Sequence, residues 1–235
     1  MTAIPSPVYL LAGGGGRTGR GPDPLLAEAL SLAGKVRPSV AYLGVASGDD
    51  RRFFSWMAEA LVLAGAGPVR LAALAAAGAD PSAAFAILRG SDLIFLSGGD
   101  VAAGMECLRR REAIPLLREL HGAGKPVLGL SAGSIMLGET WLDWPDPDDD
   151  HRAVPFPCLG LAPLSCDTHA EDDDWAELRA LVARHRLPLA YGIPSGAALR
   201  VTADGMVAAR GKAVVRIGFR QGEVVRQDDL PQEEG

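Results

Sequence analysis

A serine set between two glycines, Gly129-Leu130-Ser131-Ala132-Gly133, follows the apolar run Pro126-Val127-Leu128 and precedes the helix-like Ser134-Ile135-Met136-Leu137. On a sharp strand-to-helix turn the flanking residues must be nearly free of side chain. The hydroxyl then projects from the carboxyl edge of a sheet, and the next backbone N–H points at a developing oxyanion. Ser131 is therefore placed as a nucleophile for acyl transfer. Such a serine needs a base within hydrogen-bond reach, itself oriented by an acid. Of the four histidines, His121 and His185 fall near the ends of predicted helices, where an imidazole complements the helix dipole, and His151 sits in an acidic stretch. His169 differs. It follows Leu159-Gly160-Leu161-Ala162-Pro163-Leu164 within Ser165-Cys166-Asp167-Thr168-His169, at the end of a strand-like run, where α/β proteins assemble their sites.

The orienting acid has several candidates, because Glu139, Asp143, Asp146, Asp148, Asp149 and Asp150 all lie between the serine and the histidine. Asp143 is preferred and Asp146 is next. Asp143 stands between Trp141 and Trp144, where partial burial would hold a carboxylate against an imidazole, whereas the Asp148-Asp149-Asp150 run reads as solvated charge. A metal-loop reading of the same acids lacks the glycine that turns an EF-hand loop. The cysteines Cys107, Cys158 and Cys166 have no C-x-x-C spacing, so neither a zinc site nor a disulfide framework is suggested. No metal or cofactor is expected.

Two glycine clusters remain. Leu93-Ile94-Phe95-Leu96-Ser97-Gly98-Gly99-Asp100 reads as a buried strand running into paired glycines whose amides could face an oxyanion beside the serine. Gly13-Gly14-Gly15-Gly16-Arg17-Thr18-Gly19 contains G-x-G-x-x-G after the first strand. However, Gly21-Pro22-Asp23-Pro24 delays the helix that should open inside that motif, and the second strand ends too late for the usual ribose-binding acid. A dinucleotide is not expected.

These groups need a scaffold, and the apolar pattern supplies one. Short apolar runs near 7–12, 39–45, 67–71, 92–97 and 126–130 alternate with helical patterns over about 23–34, 51–64, 79–88 and 102–122. Each helical stretch is long enough to return the chain for parallel pairing, which gives an α/β, doubly wound, largely parallel sheet flanked by helices. Residues 141–157 are rich in acids and prolines and read as a surface loop. A strand-like run follows from Cys158 to Asp167, then a helix from about 172 to 185. Short strands near 189–193, 197–202, 206–210, 213–219 and 222–226 make a small antiparallel extension, with turns at Asp204-Gly205 and Gln221-Gly222. The chain reads as a single domain over 1–235, with about 227–235 a frayed acidic tail.

Composition bounds the partners. The net charge is −6 and the arginines are scattered, which argues against nucleic acid and anionic membranes, since both need a clustered basic face. The first apolar run is too short for a signal peptide and nothing approaches a membrane span, so a cytoplasmic protein is expected. Trp141, Trp144 and Phe156, aromatic residues in a polar stretch, are expected to cover the site or to form a homodimer contact.

Three motifs carry a resemblance. Phe95-Leu96-Ser97-Gly98-Gly99-Asp100, Gly129-Leu130-Ser131-Ala132-Gly133-Ser134 and Asp167-Thr168-His169 resemble the strand end, nucleophile elbow and histidine segment of the peptidase E and cyanophycinase family of serine peptidases. That family shares the class I glutamine amidotransferase-like fold. The resemblance runs from the first strand to about residue 203. It implies Ser131 as nucleophile, His169 as general base, and the Gly99 and Ala132 N–H groups as an oxyanion hole. Gly98, Asp100, Asp167 and Thr168 lie in the same motifs and are expected to line the substrate site, with Arg179 as a candidate cation for a substrate carboxylate. The implied activity is hydrolysis of small peptides, dipeptidase-like. A binding protein on the same scaffold, or a serine esterase or amidase, are the alternatives. Two departures are visible. Where cyanophycinase-like members follow the histidine with arginines, this chain has Ala170-Glu171-Asp172-Asp173-Asp174, and Gly192-Ile193-Pro194-Ser195-Gly196 stands where relatives often carry an acid.

Overall fold

Along the first strand, β1 (Val8–Leu11), side chains alternate between two apolar layers: Val8 and Leu10 join one cluster of buried residues, Tyr9 and Leu11 the other. A strand buried on both faces belongs to the middle of a parallel sheet covered by helices on each side. The computed structural model describes residues 4–13, 22–144 and 152–233 and bears this out. Beside β1 lie β2 (Val40–Leu43), β3 (Val69–Leu71), β4 (Leu93–Leu96) and β5 (Val127–Leu130), all parallel, with β10 (Ala198–Val201) and β11 (Val207–Arg210) added antiparallel at one edge. The strand order is β11-β10-β1-β5-β4-β2-β3.

The helices start where the sequence supplies an aspartate. Asp23, Asp50, Asp80 and Asp100 each accept a hydrogen bond from a first-turn amide of α1 (Pro24–Ser31), α2 (Arg51–Leu63), α3 (Pro81–Gly90) and α4 (Val101–Arg110), and proline follows directly in α1 and α3. This satisfies N–H groups that a helix leaves orphaned. The stretch 102–122, read as one helix, is two. α4 ends at Arg110, Glu112 turns left-handed (φ 55°), and α5 (Ala113–Gly122) begins with Pro115 in its first turn. In an unbroken helix the Pro115 ring would collide with the Arg111 carbonyl; in a first turn its missing N–H costs nothing.

A second, four-stranded sheet stands beside the first. It contains β8 (Cys166–Thr168) and β9 (Ala190–Ile193) in parallel, then β12 (Val214–Arg220) and β13 (Glu223–Leu230) antiparallel. Two expectations change here. Residues 227–230 are not frayed: they pair with β12, while Gln232 bridges Ala209 and Glu233 forms an ion pair with Arg210. The run from Cys158 is not a strand until Cys166. Its amides at Leu159, Gly160, Leu161 and Ala162 instead close the carboxyl end of α6 (Ala132–Leu137) by bonding the carbonyls of Met136, Gly138 and Leu137.

The stretch 141–157 carries a hairpin, β6 (Thr140–Asp143) with β7 (Val154–Pro157), in which Trp141 faces Phe156 in register. Trp141 is buried and Trp144 and Phe156 pack on the same core, so these rings are used within the chain. α7 (Ala176–His185) lies against β8, β9 and β12. No helix among the described residues is long and apolar enough to cross a membrane.

Candidate active site

β4 and β5 are parallel neighbours, Leu96 registering with Gly129, so the loops after their carboxyl ends meet. Ser131 follows β5 with φ 53° and ψ −123°, a conformation that side chains rarely adopt and that costs of order 1–3 kcal/mol. Neighbouring backbone imposes it. The Ser131 amide donates to Leu11 O at 2.9 Å, the Ser134 amide to Ser131 O at 2.7 Å, and the Ser134 hydroxyl returns to Leu11 O at 2.8 Å. The flanking glycines are required by close approach: a Cβ on Gly129 would lie 2.6 Å from Ser134 N, and one on Gly133 2.2 Å from Leu96 O.

From the neighbouring loop, Gly98 comes against this serine, a Cβ there falling 3.2 Å from Ser131 Cβ. Gly99 has φ 141° and lies so close to Ala46 O that a Cβ would stand 2.1 Å away. Neither the Gly99 nor the Ala132 amide donates to any described residue. Gly99 follows the glycine that touches Ser131, and Ala132 follows the serine itself.

His169 arrives from the second sheet. β8 packs on α6 through the Cys166 thiol, which donates to Ser134 O at 3.7 Å, and the His169 amide donates to Ile193 O at 2.9 Å. These contacts deliver the ring to the elbow, with Nε2 2.7 Å from Ser131 Oγ. A hydroxyl and an imidazole at that separation, across 38 residues and two sheets, can pass a proton between them. The cysteines do not compete as nucleophiles: all three are buried, and burial raises the thiols of Cys107, Cys166 and Cys158, the last to about 12.

Other expected residues land elsewhere. Asp143 is exposed at the end of β6, in register with Val154, and no hydrogen bond joins it to His169. Pairing in the hairpin, rather than a loop folded over the site, sets its place. Asp146, His151 and Gly14 to Gly19 lie outside the described residues. Asp100 is the cap of α4, accepting from the Ala103 amide at 2.8 Å. Asp167 and Thr168 are buried within β8 and do not line an open site. Asp167 Oδ1 accepts from the Thr168 amide at 2.7 Å, Oδ2 has no partner, and burial, with Glu177 and Asp173 adding to it, pushes the carboxyl up to about 7. Arg179 is taken by Asp174, through both an ion pair at 3.0 Å and a bond from its Nε to the Asp174 carbonyl at 2.8 Å. His121 is tied to Ser6 O at 2.9 Å.

One neighbour of the histidine went unrecognised as a single residue. Glu171 Oε1 accepts from the Ser195 amide at 2.6 Å. Burial alone would raise this carboxyl, but Ser195 and the charge of His169 together hold it below its ordinary value. In the sequence it was part of an acidic run. That run is broken up in three dimensions: Asp173 caps α7 through the Trp175 and Ala176 amides, and Asp174 holds Arg179.

The chain is similar to known proteins along most of its length. Among solved structures, the chain is similar to a peptidase from an acI-B1 Actinobacterium, at 16% identity and a TM-score of 0.70, over 98% of this chain and 96% of that one. It is also similar to a protein assigned as peptidase E from Listeria monocytogenes EGD-e, at 19% identity and a TM-score of 0.66, over 89% and 99%. No curated protein matches. The model of peptidase family S51 matches residues 9–208, which spans the glycine pair, the elbow and the histidine segment. The chain therefore belongs to peptidase family S51 and is a serine peptidase.

Proposed function

We propose that this serine peptidase cleaves small peptides through an acyl-enzyme on Ser131. His169 Nε2 takes the hydroxyl proton as Oγ adds to the scissile carbonyl. The tetrahedral oxyanion lies between the Gly99 and Ala132 amides, and the imidazolium returns the proton to the departing amine. Water then adds to the ester by the same route, with His169 again as base. The 2.7 Å approach of Ser131 Oγ to His169 Nε2 carries the reading.

Electrostatics around the pair bear on the substrate. Glu171, Asp172, Asp173 and Asp174 are all exposed beyond His169, and Arg179, the expected cation for a carboxylate, is already paired. A substrate carboxylate brought beside this rim meets repulsion, whereas a free amino terminus or a basic side chain does not. Uncharged and basic dipeptides are therefore preferred over Asp-X.

The test is a dipeptide library assayed beside simple acyl esters, on the parent protein and on Ser131→Ala. The parent should cleave uncharged dipeptides faster than Asp-X and should be labelled stoichiometrically at Ser131 by a fluorophosphonate. Ser131→Ala should lose about 10⁴-fold or more in kcat with its fold intact. Full turnover by Ser131→Ala would remove the mechanism; ester cleavage with no dipeptide cleavage would replace the substrate class.

A further inference from the structure

We propose that Asp49 is a positioning residue for acyl transfer: its buried carboxylate pins the turn whose Ala46 carbonyl holds the Gly99 amide in place for the oxyanion. The inference rests on Ser131 being the nucleophile and on Gly99 contributing to the oxyanion hole. Asp49 is only 3% exposed, so it acts through main chain rather than on a substrate.

The loops after four parallel strands are linked in series. After β3, the successive amides of Leu74, Ala75 and Ala76 converge on Asp49 Oδ2 at 2.8, 2.6 and 2.9 Å, a backbone nest of the kind that binds anions. Asp49 itself closes the turn after β2. Its amide donates to Gly44 O at 2.8 Å, beside the Ser47 amide at 3.0 Å, and its φ is 59°. Inside that turn, Ala46 O accepts from the Asp100 amide at 2.8 Å and is the atom that a Gly99 Cβ would meet at 2.1 Å. At the end of β4 the Ser97 amide donates to Leu43 O at 3.0 Å, so Gly98 and Gly99 span two pinned points, with Gly98 against Ser131 after β5. Arg111 Nε donates to Leu74 O at 2.8 Å, which ties the 74–76 loop to the carboxyl end of the helix that Asp100 begins.

The carboxylate is satisfied on one side only. Oδ1 is buried without a hydrogen-bond partner among the described residues, 3.1 Å from where a Gly44 Cβ would stand. Burying a carboxylate in that state is costly, and the three amides on Oδ2 are what offset the cost. The turn and the 74–76 loop therefore hold each other, because a shift of either leaves a buried carboxylate and buried amides unpaired. Glycines at 98 and 99 have no side chain to resist such a shift, so it passes to the Gly99 amide. A displacement of about 1 Å at a reacting centre can cost about 10²-fold in rate, and an oxyanion donor is among the groups most sensitive to it.

Two variants test this. Asp49→Gly removes the clip while easing the left-handed backbone, and Asp49→Asn keeps an acceptor for the three amides in a residue that tolerates that φ. Asp49→Gly should lose about 10- to 10²-fold in kcat with KM within about threefold of the parent, and Asp49→Asn should recover part of that loss. The preference for an oxygen ester over the matching thionoester, whose sulfur accepts hydrogen bonds poorly, should shrink at least severalfold in Asp49→Gly. A loss of stability alone would leave that ratio where it was, and Tm is measured alongside. If Asp49→Gly does not fold, Asp49→Asn carries the test, with a fall in kcat of about 3- to 10-fold and a smaller oxygen-to-sulfur ratio expected. A parent-like kcat in the folded variant overturns the proposal. So does a fall in kcat with an unchanged ratio, or an effect confined to KM, because neither loss would lie at the oxyanion. Fluorophosphonate labelling separates the two readings: a parent labelled at Ser131 with parent-like Asp49 variants removes only the role of Asp49, whereas an unlabelled parent removes the reading beneath it.

Discussion

The two halves of the reactive pair are built in opposite ways. Ser131 is set by main chain. Its strained dihedrals, the carbonyl of Leu11, and the contact of Gly133 with Leu96 O leave its backbone nowhere else to go. His169 is set by docking. It belongs to a second sheet that reaches the elbow helix through the Cys166 thiol, while the Ile193 carbonyl and the indole of Trp175 against Gly192 fix the histidine segment within that sheet. The serine is thus part of the stability of the main sheet. The histidine can be displaced while that sheet remains folded, and the geometry that permits chemistry is the more fragile of the two.

Substitutions can separate these halves. Gly133→Ala should do the most damage, because its Cβ would stand 2.2 Å from a backbone oxygen that the sheet cannot move. We expect at least about 3 kcal/mol of destabilisation, or no soluble protein, and no activity. Thermal melts and circular dichroism read the outcome. Gly192→Ala should be milder. Its Cβ would meet the Trp175 ring at 2.6 Å, and a ring at the start of a helix can slide. About 1–3 kcal/mol should be lost, with near-native circular dichroism but at least tenfold lower kcat, as α7 and the 169–171 segment shift. If Gly192→Ala unfolds the protein as fully as Gly133→Ala, the halves are not separable and the comparison fails.

The same contrast explains what the sequence disclosed. The elbow was legible because close approach demands glycine and glycine leaves a mark in the chain: Gly98 abuts Ser131, Gly99 crowds Ala46 O, Gly129 crowds Ser134 and Gly133 crowds Leu96 O. The parallel strands were legible because burial on two faces forces unbroken apolar runs. The acid was not. Asp143 looked suitable from its tryptophan neighbours, but strand pairing with residues 154–157 decides where that segment goes, and pairing partners are not written locally. The partner of Glu171 was hidden for a related reason. Nothing in an acidic run distinguishes the member that will meet the Ser195 amide, 24 residues further on, from those that cap a helix or hold an arginine.

Asp167 sharpens the comparison from the histidine side, and its sign is opposite to that of an ordinary paired carboxylate. Buried in β8 with one oxygen unpartnered, it titrates near 7 in the folded chain against about 3.9 when unfolded. Between those values the folded state holds the extra proton, so stability falls as pH rises from about 4 to about 7 and stays lower above that. Asp167→Asn, neutral at every pH and still able to accept from the Thr168 amide, should remove this slope. Its Tm should exceed that of the parent by several degrees at pH 8, and the gap should close toward pH 4. An equal gap at both ends would mean that Asp167 has a partner when ionised, and that the histidine sheet carries no pH-dependent weakness.

The smallest effect is expected at Asp143, and its smallness is informative. An exposed carboxylate on a hairpin, with no bond to His169, can influence the imidazole only through solvent, where such interactions are worth well under 1 kcal/mol. Asp143→Asn should leave kcat within about twofold and the acid limb of the pH profile where it was. Because the hairpin also carries Trp141 into the core, the substitution must spare the fold, which an amide of the same shape does. A loss of 10²-fold or more would mean that the hairpin closes over the elbow during turnover and brings a second region's carboxylate to the ring. Placement of the histidine would then depend on three parts of the molecule rather than two, and the main sheet would hold even less of the catalytic geometry than its hold on Ser131 suggests.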